Sequence, residues 1–248
     1  MAGHSHSANI AIRKGAQDKK RAKLFSKLAK EIIIACKVGD PDPESNPRLR
    51  LALRKARAQS LPKATIERAI KKGSGELGSD DYQELIMEGY GPGGIAVYIE
   101  VLTDNRNRAA SEIRHAFNKG GGNLGTSGCV GYMFKRRGVV TVRGDEDDVM
   151  MAALDAGAED VEDNGDGTFE VLTEPAECEA VVNALGDAGA EVVKDEVLFI
   201  PDNRMKIEGK PAQQLLRMLD ALDDCDDVQG LTHNADLSAE DVETFSNS

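Results

Sequence analysis

The sequence predicts an α+β protein: an N-terminal three-helix bundle followed by two α+β domains, the last ferredoxin-like and inserted into the middle one. Three observations predict it. Residues 16–72 place apolar side chains at helical spacing. Residues 89–134 alternate glycine-rich turns with a strand and a helix. Residues 138–200 follow the order β-α-β-β-α-β, and a late strand at 228–233 then needs a sheet outside that unit. The expected domains are 1–73, then 79–137 together with 206–237, then 138–205 as the insertion, with 238–248 as a tail.

The first helix is expected over 16–38. Leu24, Leu28 and Ile32 make its apolar stripe, widened by Phe25 and Ile33. Gly39-Asp40-Pro41 ends it. Residues 1–12 have little apolar content and are expected to need a partner to become ordered. Asn46-Pro47 opens the second helix, 47–59, with a cap and a first-turn proline in their preferred places. The third helix, 63–72, is built around Ile66, Ala69 and Ile70 and closed by Gly73. Short connections make these three a small bundle. Residues 73–79 read as a flexible linker.

A strand at 82–90 and another at 93–102 form a hairpin around Gly91-Pro92-Gly93-Gly94. The run 95–102 is apolar on both faces and is expected to be covered on both sides. Asp104 and Asn105 offer an N-cap to a helix over 106–119, which Gly120-Gly121-Gly122 stops. A strand at 131–134 is expected to return beside the apolar 95–102 strand, and 135–138 to make a basic turn. Strands at 139–142, around Val161, at 168–172 and at 191–200 alternate with helices at 146–156 and 175–185. A helix at 210–222 precedes the late strand, and the tail from Asp236 is expected to be loose.

Composition narrows the function. The chain has 248 residues, no tryptophan and few aromatics, so its core must be aliphatic. No apolar run reaches membrane-spanning length and no apolar signal region opens the chain, which points to the cytoplasm. Cys36, Cys129, Cys178 and Cys225 are scattered, without C-x-x-C pairs, which suggests neither a disulfide framework nor a zinc site. The net charge of −12 hides a division. Residues 1–72 hold 18 Lys and Arg against 6 Asp and Glu, a net of +12; the remainder carries −24. A local basic face can hold a polyanion whatever the overall isoelectric point.

Chemistry is sparse. The glycine-rich loops lack the Lys-Ser/Thr of a phosphate cradle and the G-x-G-x-x-G of a dinucleotide site, so they serve tight turns. Cys129 and His115 do not assemble a nucleophile, base and oxyanion set. The acidic runs 145–148 and 220–227 lack the glycine and spacing of a calcium loop and read as helix-end charge and solvated loops. His4 and His6 have no third ligand nearby. No cofactor, metal or small-molecule substrate is implied, and the chain reads as non-enzymatic. The cations are the stronger lead: Arg13, Lys14, Lys19, Lys20, Arg21 and Lys23 fall within eleven residues. Lysine and arginine at that density repel each other unless an anion is near, and phosphates supply one with release of counterions. Lys27, Arg48, Arg54, Lys55 and Arg57 extend the set. Arg106 and Arg108 extend it beyond the bundle. Only Phe25 among aromatics lies in residues 1–72, so stacking on single-stranded bases is poorly supported.

Several separate motifs carry a resemblance. GYGPGG, the run 103–108 (TDNRNR) and GGNLGTSGCV resemble the signature of the YebC/PmpR family of probable transcriptional regulators, which includes a mitochondrial translational activator. The similarity runs from MAGHS to MLDALDDCDDVQ, nearly the whole chain. In the N-terminal segment Arg13-Lys14, Gln17-Asp18, Lys20-Arg21 and IERAIKKG fit the family pattern. His6-Ser7 and Ala11-Ile12 depart from it, removing charge and an aromatic at the tip. The resemblance implies the three-domain arrangement, DNA binding and transcriptional control. Its alternative is a translation factor on ribosomal or transfer RNA or the ribosome.

Overall fold

The computed structural model describes residues 5–78 and 82–246, with side chains for 21–78, 82–238 and 240–245. It is mixed helix and sheet, as the α+β class requires. The chain divides into two compact units: Met1–Met87, Ile99–Gly120 and Arg217–Leu231 form one, and Glu88–Tyr98, Gly121–Leu216 and Thr232–Ser248 the other.

The first unit begins with α1 (Ser5–Val38), α2 (Pro47–Ala58) and α3 (Lys63–Gly73). Helix α1 starts eleven residues before the expected Ala16. No proline precedes Pro41 and Gly15 is tolerated inside, so the backbone stays helical where the apolar stripe has already ended. The expectation that 1–12 orders on a partner falls partly on residues 1–4, outside those described. Asn46 caps α2 by accepting from the Leu49 N–H at 3.0 Å, and its amide donates to the carbonyls of Ala35 and Asp40, tying the end of α1 to the start of α2. Leu28, Ile32, Ile33, Leu49, Leu53 and Ala69 form one buried core. Tyr82 packs against it. Helix α4 (Arg106–Gly120) buries Ala109, Ile113, Ala116 and Phe117, and the Asn105 side chain accepts from the Arg108 N–H to cap it.

A four-stranded sheet has the order β3-β1-β2-β9, from β1 (Gln83–Tyr90), β2 (Ala96–Thr103), β3 (Asn123–Leu124) and β9 (Val228–His233). Strand β9 takes the range read from the sequence and lies beside β2. Strand β2 is buried at seven of its eight positions, as the two-sided apolar run requires. Gly93 and Gly94 hold φ of +72° and +77° in the turn between β1 and β2, a conformation that favours glycine.

The second unit contains β4 (Phe134–Arg143), α5 (Glu146–Asp155), β5 (Ala158–Asp163), β6 (Phe169–Thr173), α6 (Cys178–Asp187) and β7 (Glu191–Pro201). Their sheet has the order β5-β6-β4-β7, and β4 pairs antiparallel with both β6 and β7. Val140, Val142, Val149, Val171, Val181 and Leu185 fill the space between sheet and helices. Helix α6 begins three residues later than expected, after a turn at 175–177.

Two expectations fail here. Residues 131–134 are not a strand beside β2. The buried Glu88 carboxylate accepts from the N–H groups of Gly128, Val130 and Gly131 at 2.7, 2.8 and 2.6 Å. Gly131–Met133 then form a single tight turn, and the places beside β2 are taken by β1 and β9. Nor do residues 135–138 make a turn: they lie inside β4, where Lys135 pairs with Asp202, and Arg137 with Glu159 and Glu174. Burial pulls the Glu88 carboxyl upward, but the three N–H bonds outweigh it and hold it below the ordinary carboxylate range.

The tail is a further correction. Strand β8 (Met205–Ile207) pairs in parallel with β10 (Ala235–Leu237). Helix α7 (Gly209–Asp223) is followed after β10 by α8 (Ala239–Ser246). Ser238 caps α8 through the Asp241 N–H, and Asp241 accepts from the Gly209 N–H and the Gln213 amide carries a bond to the Asp241 carbonyl. These bonds order a segment that polar composition alone leaves open.

Candidate nucleic-acid interface

Helix α1 carries the cationic run upstream of its buried stripe. From Leu28 onward the stripe Leu28-Ile32-Ala35 is buried. Upstream, between residues 13 and 23, Asp18 is the lone acid among six cations. Arg13, Lys14, Lys19 and Lys20 lie on the α1 backbone, and their side chains are outside those described. Arg21 is exposed and stacks over the Phe25 ring at 5.1 Å. Phe25 itself packs against the bundle core. A shallow groove of about 410 Å³ between Arg21, Leu24, Phe25 and the end of α2 lies alongside.

Further along α1 the lysines meet acids from the same unit. Lys23 Nζ donates to both the Asp224 carbonyl and its carboxylate at 2.9 Å. Lys27 donates to the Asp223 carbonyl at 2.9 Å and to its carboxylate at 2.8 Å. Lys30 reaches the Asp226 carbonyl at 2.9 Å and the Asp227 carboxylate at 3.1 Å. These lysines recur at i, i+4 and i+7, one face of a helix. The Asp224 hydrogen bond raises the Lys23 pKa.

Asp227 differs from its neighbours. Its side chain is 4% exposed and also accepts from Arg108 at 2.8 Å and Thr103 at 3.0 Å. Burial pushes its carboxyl up, but the bonds from Arg108, Lys30 and Thr103 together bring it below its ordinary value. Arg108 is raised in turn, first by Asp227 and then by Asp104.

The remaining predicted residues sort by partner. Arg48 forks onto the Glu84 carboxylate. Lys55 pairs with Glu31 at 3.4 Å. Arg54 is half-buried on α2, and Arg57 and Arg106 are exposed. The structure therefore gathers Lys23, Lys27 and Arg108 around one acidic segment, 223–227. It leaves Arg21, Arg57 and Arg106 on the surface. By composition that acidic segment reads as a solvated loop; its pairing with lysines some 200 residues away has no local signal.

Beside Lys23 lies a groove of about 580 Å³ lined by Glu112, His115, Lys119, Asp224 and Cys225. Burial pushes the Cys225 thiol up to about 11. Among the described residues, no cluster of three His, Cys, Asp or Glu side chains is arranged to hold a metal ion, and no helix is long and apolar enough to cross a membrane. Burial also raises the Cys129 thiol, which works against a thiolate nucleophile. Cys129 and His115 belong to different compact units.

Residues 5–76 match the family model described as the TACO1/YebC protein N-terminal domain, and 82–235 match that of the TACO1/YebC second and third domain. A probable transcriptional regulatory protein of Desulforapulum autotrophicum is 50% identical over 243 residues, 97% of this chain and 98% of that protein. One from Methylococcus capsulatus is 54% identical over 244 residues, 98% of each chain. The crystal structure of a conserved hypothetical protein from Aquifex aeolicus superposes with a TM-score of 0.81 at 44% identity, covering 89% of this chain and 92% of that one.

Proposed function

The chain belongs to the TACO1/YebC family, and from that membership we propose that it is a non-enzymatic, nucleic-acid-binding regulator of transcription acting in the cytoplasm, with DNA as its partner. The observation that carries the proposal is the cationic run at 13–23 on a continuous helix, with Asp18 as its lone acid. Phosphates neutralise such a run and release condensed counterions, which supplies affinity without sequence readout. In this reading residues 1–73 are the binding domain. Residues 79–137 with 206–237, and 138–205, form two further domains whose acidity opposes indiscriminate attachment to polyanions. The relatives' names support the regulatory role.

A second reading, a translation factor on ribosomal or transfer RNA, draws on the same surface. Phe25 is engaged by the core and by Arg21, and on α2 Arg48 forks onto Glu84, Arg50 donates to the Pro43 and Glu44 carbonyls and Arg54 is half-buried, which leaves little for base readout. A surface of this kind suits backbone contacts on duplex DNA and structured RNA alike. Crosslinking in cells with sequencing of bound DNA and RNA separates the two. The proposal expects enriched chromosomal DNA. Recovery of ribosomal RNA alone, with salt-sensitive migration alongside ribosomes, replaces it with the second reading.

A further inference from the structure

We propose that Asp223 and Asp224 are an internal phosphate mimic that shields Lys23 and Lys27 from nucleic acid. The inference rests on α1 being the nucleic-acid-binding helix, and it concerns how much of that helix is available.

The geometry separates the acidic segment into an anchor and a shield. Asp227 is the anchor: it is buried, and three side chains donate to it. Holding Asp227 fixes the register in which the preceding residues meet α1. Asp223 and Asp224 are the shield. Their side chains are 73% and 67% exposed, yet each takes a lysine with its carboxylate while its own backbone carbonyl takes the same ammonium. Each ammonium thus meets two oxygens, one of them anionic, much as it would meet a phosphate. The Lys27 side chain is only 16% exposed in this arrangement. Exposed pairs of this kind contribute about 0–1 kcal/mol to the fold. Their larger consequence is for a polyanion, which must compete with a carboxylate already tethered in place. Helix α1 therefore withholds Lys23 and Lys27 from a polyanion.

The test is a charge-neutralising cycle on the full chain, read by binding to a short duplex DNA and to a stem-loop RNA across a salt series. Asp223→Asn with Asp224→Asn keeps an oxygen acceptor at each position and leaves Asp227 in place. Unshielding two lysines adds about two phosphate contacts, so the log–log salt slope steepens by about 1.8 on duplex DNA. The variant's advantage in affinity then shrinks by roughly tenfold between 50 and 200 mM salt. Lys23→Gln with Lys27→Gln, introduced into the Asn background, abolishes the gain.

An unchanged slope in the Asn variant, with wild-type binding salt-sensitive, overturns the shield and leaves the binding helix standing. A gain that survives loss of both lysines also overturns it, since only the general reduction in negative charge then remains. Failure of wild type and Asn variant alike to bind either nucleic acid at low salt overturns both the shield and the reading it rests on. Should the Asn variant unfold, Asp223→Ser with Asp224→Ser is carried through the same cycle.

Discussion

The helical bundle and the β4–β7 unit are made from the same kind of core and wear opposite surfaces. Leu28, Ile32, Leu49 and Leu53 close one interior; Val140, Val142, Val181 and Leu185 close the other. Yet residues 1–72 carry +12, while 138–205 hold 3 Lys and Arg against 19 Asp and Glu, a net of −16. Burial of apolar area stabilises both folds without reference to the sign of the surface. Surface sign is therefore free to follow the partner, and under the proposed function the basic helical region of this otherwise acidic chain is where a polyanion would be admitted. The β4–β7 sheet makes the contrast sharper. Its solvent-facing positions include Arg137, Val139, Thr141, Leu172 and Glu196, with no ring on which a base would stack.

The first way to break the comparison is in the cores, where the effects are largest. Leu49 and Leu185 are both fully buried. Replacing either by Ala is expected to cost about 2–5 kcal/mol through lost transfer energy and a residual cavity. Leu49→Ala should lower unfolding of the helical unit and Leu185→Ala that of the other. Scanning calorimetry of the two variants checks this; a shift of the same single transition by both would show one cooperative block instead of separately stabilised regions.

Acid titration sharpens the comparison more gently. The Asp227 pKa is lower folded than unfolded, so its stabilisation is complete above the unfolded value of about 4 and is lost as pH falls through the folded one. His233 is also depressed, by burial first and then by Arg204. It is held neutral while its Nδ1 accepts from the Ala235 N–H. Its contribution is present above about pH 6.5 and is lost as pH falls through the folded value. Denaturant midpoints measured from pH 7 downward should decline first with the His233 step and later with the Asp227 step. His233→Gln should flatten the earlier decline and Asp227→Asn the later one. A wild-type profile level from pH 7 to 4 would refute the His233 assignment.

Helix and strand identities were largely legible because periodicity reports them directly. Strand β9 was readable as a short apolar-polar run, and α2 from Asn46-Pro47. What escaped was set by distant partners. Nothing near residue 131 announces that Glu88 will draw three N–H groups away from a strand ladder. Residues 135–137 look like a basic turn until acids on neighbouring strands pair with Lys135 and Arg137. The capping signal for α8, Ser238 three residues before Asp241, is masked by the short, polar character of the segment. The candidate interface divided likewise. The cations were legible as a cluster, whereas their engagement by Asp223, Asp224 and Asp227 depends on tertiary structure.

The most direct test of the central claim is the salt dependence of duplex DNA binding by the full chain and by two charge-reversal variants. One variant replaces Arg13, Lys14, Lys19 and Lys20 by Glu. The other replaces Arg143, Lys194 and Arg204 by Glu. With the basic helix as the binding element, wild type shows a linear log–log dependence with a slope of about 0.9 per phosphate neutralised. The first variant should lose about a hundredfold or more in affinity and most of the slope, since reversing four cations turns attraction into repulsion. The second should match wild type. Equal loss in both variants, or undiminished binding in the first with its helices intact, would contradict the account.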